Sequence, residues 1–322
     1  RVGEPGDALA AYLAAIRLAP SDPELRMGAV TRRLRAKAVI AASGGFQGDL
    51  DWLAREWGPA ANNFLIRGTA YNRGVVLRDL LDQGVASIGD PTQCHCVAID
   101  GRAPKFDGGL VTRLDCVPFS IVVNKHAERF YDEGEDVWPK RYAIWGRLVA
   151  KESDQIAFSI IDAKSVQEFM PSVFPPIVDD TLDGLAGKLG LDAAKLSSTV
   201  ASFNAGCRAY RDGRPFQPMR LDGMTTDGVT PAKTNWARPI ETPPYYAYPL
   251  RPGVTFTYLS VAVNERARVK MASGGYAANI WAAGELMSGN ILGEGYLAGF
   301  GMTLGTVFGR IAGEEAARHV RN

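Results

Sequence analysis

Two stretches near opposite ends of the chain take the same course, from small apolar residues into glycine. The first runs Leu34-Arg35-Ala36-Lys37-Ala38-Val39-Ile40-Ala41-Ala42-Ser43-Gly44-Gly45-Phe46, the second Asn279-Ile280-Trp281-Ala282-Ala283-Gly284-Glu285. Apolar runs without polar alternation mark strands covered on both faces of a parallel sheet. Behind the second lies Gly289-Asn290-Ile291-Leu292-Gly293-Glu294-Gly295-Tyr296-Leu297-Ala298-Gly299-Phe300-Gly301, and then Met302 to Val320, where Leu304, Val307, Phe308 and Ile311 fall at helical spacing. Strand, glycine loop and helix in that order aim the helix's first amides at whatever rests on the loop.

The middle of the chain differs in character. Asn72 to Gly84 reads as a helix with Val76, Leu77, Leu80 and Leu81 on one side, and Leu110 to Val123 and Ile156 to Ile161 read as strands. Thr181 to Arg211 predicts two helices, the second capped by Ser197 or Ser198, and Thr225 to Tyr248 is a proline-rich connection. The pattern is an outer pair of segments around an insert.

Composition excludes several classes. With 36 Lys+Arg against 35 Asp+Glu the net charge is +1, so no bulk field draws nucleic acid or an anionic membrane. No apolar run reaches the roughly 18–20 residues that span a bilayer. Four cysteines, Cys94, Cys96, Cys116 and Cys207, are too few and too irregular for a disulfide framework, which favours a reducing, cytoplasmic compartment. Cys94-His95-Cys96 invites a metal, but structural zinc wants two ligand pairs, and only His95, His126 and His319 exist besides the thiols; no metal is expected.

The 35 glycines concentrate interest on the loops. Glycines at 289, 293, 295, 299 and 301 let a flat or phosphorylated ligand lie on bare backbone, or simply let a helix pack close to a sheet. Glu285 is either an acceptor for a ribose or ribityl hydroxyl or a solvated loop acid. The Gly-x-Gly-x-x-Gly fingerprint of a dinucleotide-binding βαβ unit is missing upstream: Gly3-Glu4-Pro5-Gly6 has neither the spacing nor a preceding strand.

The runs Trp281-Ala282-Ala283-Gly284-Glu285 through Gly309-Arg310-Ile311-Ala312-Gly313, and Ala41-Ala42-Ser43-Gly44-Gly45-Phe46, resemble the flavin-binding segments of the fumarate reductase/succinate dehydrogenase flavoprotein family. Within that family, five stretches are similar to the FAD-dependent tricarballylate dehydrogenases. They are Phe64-Leu65-Ile66-Arg67-Gly68-Thr69, Gly89-Asp90-Pro91-Thr92-Gln93-Cys94-His95, Arg129-Phe130-Tyr131-Asp132-Glu133-Gly134-Glu135-Asp136, Trp138-Pro139-Lys140-Arg141-Tyr142-Ala143-Ile144-Trp145-Gly146 and Gly295-Tyr296-Leu297-Ala298-Gly299-Phe300-Gly301. The likeness begins at about Leu34.

This resemblance implies an α/β plus α+β chain: a partial Rossmann-like FAD-binding domain over 1–68 and 232–322, with an inserted substrate-capping domain over 69–231. The family's fingerprint unit would lie N-terminal to everything seen, which makes the chain the C-terminal majority of a larger flavoprotein. The implied cofactor is FAD, contacted by Ser43, Gly44, Gly45, Gly284, Glu285, Gly299, Gly301, Met302, Thr303 and Leu304. The implied reaction oxidises tricarballylate or a similar small polycarboxylate to its alkene, a hydride going to flavin and a proton to a protein base.

Arg141 falls near the family's proton-relaying arginine, with Arg147 its nearest rival. His95 resembles a histidine of the substrate pocket, although Cys96 replaces the usual following proline. Arg113, after Thr112, stands where fumarate reductases carry glutamate, and a guanidinium there would clamp a carboxylate. Tyr296 replaces a substrate-binding arginine, and Phe256-Thr257-Tyr258 lacks a family histidine, so simple fumarate reduction is disfavoured. Tyr258 and Tyr296 instead admit 3-ketosteroid Δ1-dehydrogenation, in which phenols assist, or simply pack against flavin or sheet; a catalytically silent flavoprotein fragment is the alternative from a different class. The resemblance also implies an iron–sulfur or haem electron-transfer partner at the inner face of a membrane.

Overall fold

A computed structural model describes residues 36–106, 109 and 112–321. The N-terminal stretch 1–35, with the first two residues of the strand predicted from Leu34, lies outside the described residues, as do Leu110 and Val111 at the head of the second predicted strand.

In chain order the strands are β1 (Val39–Ala41), β2 (Leu65–Ile66), β3 (Ser87–Ile88), β4 (Cys94–Asp100), β5 (Ile121–Asn124), β6 (Ala157–Asp162), β7 (Ile177–Asp179), β8 (Tyr245–Thr257), β9 (Ser260–Val261), β10 (Arg268–Lys270) and β11 (Tyr276–Ala282). The helices are α1 (Leu50–Trp57), α2 (Val75–Asp82), α3 (Trp138–Arg141), α4 (Trp145–Lys151), α5 (Leu182–Leu189), α6 (Ala193–Gly206), α7 (Arg208–Arg211) and α8 (Phe300–Arg321). The mixture of sheets and helices is the α/β plus α+β class the sequence predicts.

The two glycine-ending runs are neighbours. β1 and β11 pair in parallel, Val39 opposite Ile280 and Ala41 opposite Ala282, and β10 joins β11 antiparallel. Because the pair is parallel and in register, both chains leave the sheet at the same end, which sets Ser43–Gly45 beside Gly284–Glu285. One expectation fails here. The run at β1 predicts burial on both faces, yet Val39 and Ile40 are 44% and 43% exposed, since among the described residues β1 has only β11 as a neighbour.

The second sheet is organised by the long strand β8. Its first half pairs with β6 and β7 and its second half with β4 and, in parallel, β2; β5 extends the sheet beyond β6. A bulge between His95 and Cys96 breaks the β4 ladder. Helix α4 crosses β4 so closely that a Cβ on Gly146 would stand 2.4 Å from the Cys96 sulfur. Main-chain contact of this kind demands glycine.

Three local expectations change. On α2 the core face is Leu77 and Leu80, with Val76 on the rim; the i, i+3 step that starts at Leu77 turns Val76 outward. Asp192, accepting from Lys195 N at 2.8 Å, caps α6, so Ser197 and Ser198 lie inside the helix. The predicted strand to Val123 is a strand only over β5, because Val117-Pro118-Phe119 form a 3-10 turn before it. No helix among the described residues is long and apolar enough to cross a membrane.

Candidate active site

The two parallel loops meet on Glu285. Its carboxylate accepts from Thr257 N at 3.1 Å and from the Gly45 amide, with Gln47 Nε2 at 3.4 Å. Gly45 has no room for a side chain: a Cβ would fall 2.2 Å from both Glu285 Oε1 and Thr257 Oγ1. Gly44 adopts φ +80°, a left-handed conformation. Asn72, with its amide nitrogen turned to the Ser43 and Gly45 carbonyls at 3.1 and 2.9 Å, closes the loop from outside. Burial pushes the Glu285 carboxyl up to about 7 against the pull of these donors. It also lines a cavity of about 220 Å³ with Phe256, Ser288, Gly301 and Leu304.

The surface in front of the glycine loop is bare. At Gly293, Gly299, Gly305 and Gly309 a Cβ would meet nothing within 4 Å, and Gly299 has φ +87°. Leu297 and Met302 are exposed although large and apolar, and Ser43 and Thr303 are exposed beside them. Open space over Gly293 and Gly299, apolar side chains facing outward and a carboxylate on the cavity wall fit a cofactor with a flat apolar ring and hydroxyls. The residues present therefore fit FAD.

On the far side of Phe256 lies an aromatic cluster. His95 stacks on Tyr296 with ring centroids 3.9 Å apart, and meets Tyr142 and Phe256 edge-on at 5.5 and 5.3 Å. Both imidazole nitrogens are buried without a hydrogen-bond partner among the described residues. Burial, reinforced by the positive charges of Arg67 and Arg113, pushes the imidazole down to about 3, so it is neutral. Tyr296 accepts from Gly301 N, in the first turn of α8, at 2.6 Å. Its ring thus ties the loop to the helix.

The structure brings His95, Arg113 and Tyr296 together. Arg113 lies over the Tyr142 ring at 5.1 Å and forks onto Asp115, Nε to Oδ1 at 2.6 Å and Nη2 to Oδ2 at 2.8 Å. Arg141 ends α3, one residue before Tyr142; it donates to Glu135 at 2.5 Å, and its Nε is buried without a partner among the described residues. Glu135 also accepts from the Tyr131 hydroxyl at 2.7 Å. Tyr258 stands behind the loop, wholly buried, with its hydroxyl donated to the Gly295 carbonyl at 2.5 Å. Arg147 is turned to Gln93.

Sequence reasoning missed Arg67, Asp115, Tyr142 and Phe256 as members of this cluster. Arg67 follows the wholly apolar Phe64-Leu65-Ile66, and a cation at the end of such a run was the available signal.

The FAD binding domain family matches residues 6–301, and the chain belongs to that family. The match begins well upstream of Leu34. Among characterised relatives, the 4-oxocyclohex-2-ene-1-carboxylate 5-dehydrogenase of Sinomonas cyclohexanicum is 28% identical, over 96% of this chain and 58% of its own length. A flavocytochrome c3 fumarate reductase in its open conformation superposes with a TM-score of 0.65 at 22% identity, covering 89% of this chain and 47% of that one. The 3-ketosteroid Δ1-dehydrogenase of Sterolibacterium denitrificans gives 0.63 at 22% identity, covering 88% and 53%. These likenesses show that the fold is that of FAD-binding flavoproteins. The chain spans about half the length of the relatives it matches.

Proposed function

We propose that this chain carries the catalytic part of an FAD-dependent oxidoreductase that removes two hydrogens from adjacent carbons of a small polycarboxylate, with tricarballylate as the substrate. One observation carries the reading: a neutral imidazole lies within reach of the Arg67 charge, beside the Arg113–Asp115 ion pair, in an aromatic cluster that shares Phe256 with the cofactor-side cavity. Carboxylates suit such a place, because guanidinium pairs with them bidentately in a site where water screens little. When bound, FAD supplies the acceptor for the hydride.

The remaining roles fall to the chain's own groups. As the proton leaves the second carbon, Arg141 gives its Nη2 proton to Glu135, 2.5 Å away, and takes the substrate proton in its place, so the guanidinium keeps its charge and Glu135 passes a proton on toward solvent. A neutral His95 offers one N–H to a substrate oxygen without adding charge. Residues 69–231 form the cap in this reading. The electron acceptor is an iron–sulfur or haem protein at a membrane, and the compartment is cytoplasmic.

A 3-ketosteroid would want phenols free to exchange protons, whereas the Tyr258 hydroxyl is committed to a main-chain carbonyl. Turnover of the FAD-loaded protein with an artificial electron acceptor, measured on tricarballylate, succinate and a 3-ketosteroid, tests the reading. Activity on tricarballylate is expected; activity on the steroid alone would replace it.

A further inference from the structure

We infer that Arg67, and not Arg113, is the cation that anchors a substrate carboxylate, an assignment that rests on the polycarboxylate reading above. The two guanidiniums differ in what already holds them. Arg113 is saturated in charge. Its planar fork lies on both oxygens of Asp115, and Asp115 Oδ1 takes a further donor, Trp138 Nε1, at 2.6 Å. The pair is internally neutral and serves to position the Trp138 end of α3.

Among the described residues the side chain of Arg67 is bonded to neutral partners. Its Nε donates to the Gly109 carbonyl at 3.1 Å and its Nη1 to Thr255 Oγ1 at 2.7 Å, and it makes no ion pair among the described residues. A guanidinium carries five N–H donors, so these two bonds leave Nη2 and half of Nη1 to spare. Burial is the largest influence lowering the Arg67 pKa, followed by the charge of Arg113. A partly desolvated cation without a counter-ion is costly to maintain, and a docking anion recovers that cost.

Position supports the assignment. Thr255, which fixes Arg67, precedes Phe256 on β8, the residue common to the cavity wall and the His95 cluster. Among the described residues around His95, Arg113 cancels Asp115 and His95 is neutral, which leaves the charge of Arg67. The cluster thus presents one uncompensated positive charge beside a neutral imidazole whose nitrogens are both unbonded among the described residues. One carboxylate fills that charge, and an uncharged analogue does not.

Calorimetric titration of the FAD-loaded protein with tricarballylate, and with its neutral triamide as control, reads this out. Arg67→Met should raise the tricarballylate Kd about 10–100-fold. Replacing the neutral pair as a unit, Arg113→Met with Asp115→Asn, should change it by no more than about threefold. Should the Met variant not fold, Arg67→Gln, which keeps an amide donor for Thr255 while losing the charge, is expected to show the same loss. Binding by Arg67→Met or Arg67→Gln within about threefold of the wild type, or a greater loss in the Arg113/Asp115 double variant, would overturn the assignment while leaving the polycarboxylate reading intact. A wild-type protein that binds neither tricarballylate nor citrate would overturn that reading, and the Arg67 assignment with it.

Discussion

The imidazole of His95 lies almost flat on the Tyr296 ring, with planes 14° apart and centroids at 3.9 Å, so the strand β4 and the glycine loop meet face to face. Burial and the neighbouring arginine charges, not the stacking, keep this imidazole neutral. The native group protonates only near pH 3, while in the unfolded chain it does so near 6.5. Below 6.5 the unfolded state therefore binds a proton that the native state refuses, and stability must fall as the pH falls from 6.5 toward 3. The slope from this residue is about 1.4 kcal/mol per pH unit. Glu285 acts in the opposite sense, since its native value near 7 exceeds the ordinary 4.5, so stability attributable to it is lost as pH rises from 4.5 through 7. The two overlap, and a difference curve separates them. Denaturant titrations of wild type and His95→Phe at several pH values should diverge most at low pH, with the variant flatter by one proton.

Gly45 is the tightest point of the cofactor-side loop. Its missing Cβ would sit inside van der Waals contact of Glu285 Oε1 and Thr257 Oγ1, 2.2 Å from each. Gly45→Ala must push the carboxylate off the amides of Gly45 and Thr257, and overpacking of this kind costs about 1–3 kcal/mol before lost hydrogen bonds are counted. The expected result is a lower Tm and a protein that leaves a desalting column without flavin absorbance. Gly299→Ala, in contrast, meets no atom within 4 Å and is strained only by its φ of +87°; it should be the milder of the two.

The sequence carried the outer elements clearly, because continuous apolar runs and helical spacing are properties of single segments. Ala41 and Ala282 end their runs alike, and their side-by-side parallel pairing is what gives both glycine loops a common destination. The cluster was less legible. Its members come from Arg67 after β2, His95 on β4, Arg113 before β5, Tyr142 after α3 and Tyr296 in the loop, and only tertiary folding shows that they meet. Even so, Arg113-Leu114-Asp115 held a clue, as residues two apart on extended backbone share a face. Solvation hid the rest: nothing in Leu65-Ile66-Arg67 states whether the arginine finds a counter-ion.

Arg141 and Glu135 form a unit of cation, carboxylate and the Tyr131 hydroxyl. If Arg141 accepts the substrate proton, Arg141→Lys should cost at least about 100-fold in turnover, because a lysine loses the forked geometry and the delocalised group that passes protons along. Flavin content should not change. Glu135→Gln is expected to fall by a similar order, and the two together should cost little more than either alone, since both interrupt one path. Unchanged turnover in Arg141→Lys removes it from the mechanism, with Arg147 the next residue to replace.

Tyr258 decides between a phenol that reacts and a phenol that holds. It is wholly buried on the strand side of the glycine loop, its hydroxyl is given to the Gly295 carbonyl at 2.5 Å, and burial pushes its pKa far above the ordinary 10. Ionisation there is opposed on both counts, because the proton is both bonded and hard to remove into a dry interior. Gly295 lies next to Tyr296, so the bond fixes the loop at the point where Tyr296 turns toward His95. Tyr258→Phe should therefore lower stability by about 0.5–1.5 kcal/mol, the net worth of a hydrogen bond to a half-buried carbonyl. Its effect on kcat should stay within about tenfold, arising through looser placement of Tyr296. A loss beyond about 100-fold with flavin retained and Tm unchanged would instead mark a proton-transferring phenol, and with it the ketosteroid type of dehydrogenation.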